Sequence, residues 1–161
     1  MTMTTNAVRI LEGKGIRVEV RTYVPDADDL SAGEAAEKLG LDPWQVFKTL
    51  VTRCGKNVVL ACIPGPAELD LKRLASVTGQ KTAEMVHLSE VFPLTGYVRG
   101  GVSPVGSRKC WPVVLDRKAM DFGRICVSAG ARGVQILLSP SDLQRASGAS
   151  VALISRERTK A

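Results

Sequence analysis

"VFKTLVTRCGKNVVLACIP", residues 46–64, holds two β-rich runs, 46–53 and 57–64, on either side of Cys54-Gly55-Lys56. Two such runs around a short glycine-bearing break predict a hairpin. A hairpin pairs its strands antiparallel, so the sheet containing it is not all-parallel. On the N-terminal side, "NAVRILEGKG" (6–15) spaces Val8, Ile10 and Leu11 at near-helical intervals, with Asn6 as cap and Gly13 and Gly15 as stops. "IRVEVRTY" (16–23) then alternates Ile16, Val18 and Val20 with Arg17, Glu19 and Arg21, the period of a strand with one wet face. "SAGEAAEKLG" (31–40) places Glu34 early and Lys38 late, the polarity of a helix.

On the C-terminal side, "DLKRLASVTG" (70–79) reads as a helix capped by Asp70, with Leu71, Leu74 and Ala75 on one face. "WPVVLD" (111–116), "RICVSAG" (124–130) and "VQILLSP" (134–140) read as strands. "SDLQRASG" (141–148) is a helix, "SVALIS" (150–155) a last strand, and "RERTKA" (156–161) a polar, frayed tail. About seven short strands and five short helices in mixed order predict an α+β fold, a mixed sheet with peripheral helices. Without a repeat or a dividing linker, residues 1–161 read as one domain.

The chemistry is bounded by what the chain contains. Its 22 Lys and Arg exceed 16 Asp and Glu by six, and a pI near 9.4 favours an anionic partner through counterion release from phosphates. Cys54, Cys62, Cys110 and Cys126 are too far apart for a CxxC pair or zinc knuckle, so they are expected as free, mostly buried thiols in a reducing cytoplasm. Cys110, after Lys109, is the one whose neighbouring cation would favour a thiolate. No run approaches a membrane span or a signal peptide, which leads us to expect a soluble cytoplasmic protein. The single histidine, His87, has no neighbours for a metal set or a triad and is expected to be structural, partly buried with one backbone partner. Neither a GxSxG elbow, a GxxxxGK[ST] phosphate loop nor a GxGxxG fingerprint occurs.

What remains is Lys48 at a strand start and the glycine-rich stretch "GYVRGGVSPVGSRKCWP" (96–112). Backbone N–H groups in such a loop donate to a carbonyl or phosphate oxygen, because missing Cβ atoms let a ligand approach. A site of this kind polarises its ligand without supplying a nucleophile.

"VFKTLV" (46–51), "GYVRGGVSPVG" (96–106), "VSAGARG" (127–133) and "LSPSDLQRASGA" (138–149), in that order, resemble the YbaK/EbsC family of trans-acting aminoacyl-tRNA deacylases, in its branch acting on Cys-tRNA(Pro). The resemblance runs from "ILEGKGI" (10–16) through the last helix. It implies a mostly antiparallel sheet curled into a barrel, a cleft for the aminoacylated 3' end of tRNA, and no cofactor or metal. Lys48, Gly100 and Gly101 match its catalytic positions; Tyr23, Thr49, Ser103, Pro104, Ser128, Gly130 and Arg132 are the substrate-binding candidates that go with them. Arg99, Arg108 and Lys109 are candidate phosphate contacts. The expected reaction is attack of the cysteinyl thiol on its own ester, freeing tRNA(Pro) or tRNA(Cys), with prolyl-tRNA synthetase as a partner in a ternary complex. Alternatives are a deacylase for Ala-tRNA(Pro) or another small residue, and a non-catalytic tRNA-binding module. The chain departs from the family pattern at Arg21 and Pro25, which stand near Tyr23 where histidines are usual. Ala32 stands in place of an aromatic, and Gln135 in place of an aspartate. These departures bear on amino-acid selectivity.

Overall fold

The computed structural model describes residues 4–158. The hairpin forms as read: β2 (Phe47–Cys54) and β3 (Asn57–Pro64) pair in unbroken antiparallel register from Phe47↔Pro64 to Cys54↔Asn57, turning at Gly55 and Lys56. The period of two splits the apolar run of β3 between two cores. Val58, Leu60 and Cys62 enter the main one, while Val59, Ala61 and Ile63 enter a smaller one with Leu74 and Ile154. A strand apolar on both faces belongs in the middle of a sheet. There β3 lies, in the order β5 (Ala83–Met85), β2, β3, β6 (Val113–Asp116), β9 (Ser150–Ala152).

A second sheet orders β1 (Glu19–Thr22), β8 (Val134–Leu138) and β7 (Ile125–Ala131), all antiparallel. Ile125, Val127, Val134 and Ile136 face the main core, which α1 (Asn6–Gly13) closes with Ala7, Val8 and Leu11, and α5 (Pro140–Ser147) with Leu143. The opposite faces of β7 and β8 present Cys126 and Leu137 to Ala35 and Ala36 of α2 (Ala32–Leu39). Helix α3 (Leu71–Val77) covers the smaller core, and α4 (Val91–Thr95) leads into the glycine-rich stretch.

The α+β class and the mixed, mostly antiparallel pairing hold, the parallel exceptions being β3–β6 and β6–β9. The barrel does not. The two sheets adjoin through one parallel bridge, Val46↔Cys126, and β1, β5 and β9 remain edges, so no sheet closes on itself. Strands are also more numerous and shorter than read. The first spans four residues rather than eight, because β8 offers partners only for Glu19 to Thr22. Helix α1 is capped by Thr5, whose hydroxyl accepts the Val8 N–H, not by Asn6. His87 is exposed rather than partly buried, and its ring meets the Ser89 hydroxyl at 3.2 Å.

The tail is corrected as well. "SVALIS" divides into β9 and β10 (Ser155–Arg156), and β10 pairs with β4 (Glu68–Leu69) instead of fraying. The tie is the fully buried carboxylate of Asp116: one oxygen accepts the Ile154 and Ser155 N–H groups at 3.0 and 2.8 Å, the other the Lys118 N–H. The rest of the expected frayed tail, residues 159–161, lies outside the described residues.

Candidate active site

A cavity of about 360 Å³ opens where the start of β2, the first turn of α2, the β7–β8 sheet and the 96–102 loop converge. That volume lies in the range of small-ligand sites. Lys48 stands half-buried on its wall and donates to the Gly65 carbonyl at 3.0 Å. An ammonium has three N–H bonds, so two stay free for a ligand. Burial is the main influence holding the Lys48 pKa below its ordinary value. The charge of Arg158 adds to it, and Glu68 opposes.

Backbone donors lie around this cation. Ala32 and Gly33, at the start of α2, line the cavity, and the first N–H groups of a helix have no intrahelical acceptor. Gly100 lines it too, at φ +84° and with Leu30 Cβ 3.0 Å from where its own Cβ would stand, a position suited to glycine alone. Gly65 is required for a different reason. A Cβ there would meet Ala32 Cβ at 2.8 Å, while its N–H bonds the Val46 carbonyl, so its smallness lets α2 lie against the hairpin.

Tyr23 and Gln135 close the α2 side of the cavity. The Cys126 thiol donates to Gln135 Oε1 at 3.4 Å, fixing the amide on the same wall as the tyrosine. Burial and the nearby Glu34 carboxylate push the Tyr23 pKa upward against the opposing influence of the Gln135 amide, so the phenol keeps its proton at neutral pH. Thr49 and Ser128 add hydroxyls, the former 3.5 Å from Cys62 Sγ. Burial pushes the Cys62 and Cys126 thiols up to about 12, which leaves both protonated and unreactive. Among the described residues lining the cavity there is no His, Cys, Asp or Glu.

The structure thus brings together Tyr23, Lys48, Thr49, Gly100 and Ser128 of the residues singled out from sequence, with Arg99 beside them. The others do not line the cavity. Gly101 spends its N–H on the Val98 carbonyl and lies against the Ala131–Arg132 backbone. Ser103 is fully buried and accepts the Val105 N–H, and Pro104 is buried next to it. Gly130 packs on the Tyr97 ring and donates to Ser128 Oγ. Arg132 donates to the Arg99 carbonyl at 2.8 Å, bracing the loop from outside. Arg108 and Lys109 lie over the rings of Phe92 and Trp111.

Gly65 and Arg158 were missed. The Pro64-Gly65-Pro66 turn was a visible signal for the first; nothing local marks the second. Ala32 and Gln135, the departures noted above, both line the cavity.

The family model for the aminoacyl-tRNA editing domain matches residues 26–146. The chain belongs to the aminoacyl-tRNA editing domain family. This editing domain is 45% identical over 137 residues to a candidate Cys-tRNA(Pro)/Cys-tRNA(Cys) deacylase, EbsC, of Enterococcus faecalis, spanning 84% of each chain. It is 31% identical over 107 residues to a proline–tRNA ligase of Desulforamulus reducens, matching 66% of this chain and 19% of the ligase. Among solved structures, a candidate trans-editing enzyme for prolyl-tRNA synthetase superposes with a TM-score of 0.81 at 27% identity, over 96% of this chain and 99% of the other. The matched segment of the editing domain holds Lys48, Gly65 and Gly100, while Tyr23 and Arg158 flank it.

Proposed function

We propose that this editing domain is a trans-acting deacylase that removes cysteine from tRNA(Pro), and from tRNA(Cys), in the cytoplasm. One observation carries the chemistry: the cavity offers cations and backbone donors, while no His, Cys, Asp or Glu lines it among the described residues. An aminoacyl ester needs only positioning and polarisation when its own side chain attacks. In the cysteinyl ester the thiolate sulfur forms a bond to the ester carbonyl carbon. The bond from that carbon to the ribose oxygen breaks, the thiol proton ends on the leaving hydroxyl, and a cyclic thiolactone and free tRNA result. Lys48 and the N–H groups of Ala32, Gly33 and Gly100 would hold the oxyanion or the neighbouring ribose and phosphate oxygens.

The similarity to EbsC supports cysteine as the amino acid, and likeness to part of a proline–tRNA ligase supports a partnership with prolyl-tRNA synthetase on one tRNA. Aromatic residues make up 4% of the chain, too few for extended base stacking, so a ternary complex would supply the choice of tRNA. No helix among the described residues is long and apolar enough to cross a membrane.

The test is ester loss from Cys-, Ala- and Ser-tRNA(Pro), with and without Lys48→Ala, while trapping any thiolactone. The expected result is Lys48-dependent loss of cysteine with trapped thiolactone. Loss of alanine or serine at equal rate would move the mechanism to water attack, and no loss at all would leave a binding module.

A further inference from the structure

A second hollow, about 380 Å³, adjoins the Lys48 cavity and shares Lys48, Leu50, Met85 and Arg158 with it. Its far side is made by β4 and Leu71 at the start of α3. Sharing these residues, the two hollows form one groove running from the α2 end, over β2, to Arg158 just past β10. The floor of the outer part is apolar and open to solvent: Met85 is 47% and Leu71 36% exposed. Its charge is positive. The one carboxylate lining it, Glu68, is engaged by Arg156 at 3.2 Å, whereas Arg158, exposed two residues on, makes no hydrogen bond or ion pair among the described residues. An apolar floor beside a free guanidinium suits a ribose or base with its phosphate.

Resting on the deacylase reading, we propose that the acceptor strand of the RNA leaves the Lys48 cavity along this outer groove, and that Arg158 binds the backbone phosphate there. The Asp116 carboxylate and the β10–β4 pairing anchor the segment that leads to Arg158, so β10 carries this residue to the substrate groove. The guanidinium also meets the geometric need of a phosphate, two parallel donors in one plane.

The proposal is tested in two assays. Fluorescence anisotropy with deacylated tRNA, over a series of salt concentrations, reads the phosphate contact without any chemistry. Arg158→Ala is expected to weaken binding about ten-fold and to lower the slope of log K against log salt by roughly 0.7–0.9, while Arg158→Lys recovers most of the loss. Deacylation of Cys-tRNA is then compared with that of 3'-O-cysteinyl adenosine, which has no phosphate. The Arg158→Ala loss, carried mainly in KM, is expected to be at least five-fold larger on tRNA. Equal losses on the two esters would mean that Arg158 acts at the reacting centre, and unchanged binding and salt slope would remove it from the RNA path; either result overturns the proposal. So does a length-dependent loss that follows Arg99→Ala instead. RNA binding that depends on Arg158, in a wild-type protein that turns over no ester, would sink the deacylase reading and keep this one.

Discussion

At the scale of single residues the proposed chemistry centres on Lys48. Replacing it with Ala removes the only ammonium among the described residues of the inner cavity and should lower the deacylation rate about 10²–10³-fold, measured as single-turnover ester loss. Its charge state gives a pH prediction with a definite sign. Burial and Arg158 lower the Lys48 pKa, so activity that needs the ammonium falls as pH rises through a value below that of an ordinary lysine. Arg158→Gln removes one of those causes and should move this alkaline limb to higher pH, read from pH–rate profiles corrected for spontaneous hydrolysis. A third test is Gly65→Ala. The added methyl, 2.8 Å from Ala32 Cβ and 3.2 Å from the Val46 carbonyl, forces α2 away from the hairpin. It should cost about 1–3 kcal/mol in urea unfolding and reduce turnover, because the α2 amides move with the helix. Lys48 was legible because it stands at the start of an apolar strand and within "VFKTLV", one of the motifs that carry the family resemblance. Gly65 was less so, since its constraint comes from a helix more than 25 residues away in the chain.

Among elements, the helices were the most legible and the shortest strands the least. Ser31, Asp70 and Ser139 cap α2, α3 and α5 by accepting the N–H three residues on, a local bond written into local sequence. Strands β4, β5 and β10, of two or three residues, have no period to detect and exist only because a partner lies alongside. Strand β10 depends most on one remote group. Asp116→Ala would orphan the Ile154, Ser155 and Lys118 N–H groups and should cost about 3 kcal/mol. Differential scanning calorimetry would register this as a lower Tm, and hydrogen exchange as lost protection at residues 154–156. Asp116→Asn, which keeps one acceptor oxygen, should cost less.

For the whole molecule, a net charge of +6 makes RNA affinity depend on salt. If two phosphates are neutralised, the affinity for deacylated tRNA should fall roughly ten-fold between 50 and 200 mM salt, and binding insensitive to salt would argue against a phosphate track. By itself the sequence determined the α+β class, the central hairpin, the Asp70 cap of α3 and the family, together with Tyr23, Lys48, Thr49, Gly100 and Ser128 among the site candidates, which line one cavity. Those features rest on short-range rules, periodicity, capping and hairpin turns, or on motifs contiguous in the chain. Tertiary structure alone decided that the two sheets stay open, joined at Val46 and Cys126, because closure depends on which edges find partners. It also placed Gly101, Ser103, Pro104, Gly130 and Arg132 behind the cavity wall and brought Arg158 to its mouth. Which side of a loop faces a ligand, and where a chain end returns, is set by packing between segments distant in sequence, such as the Asp116 carboxylate on the Ile154 and Ser155 amides.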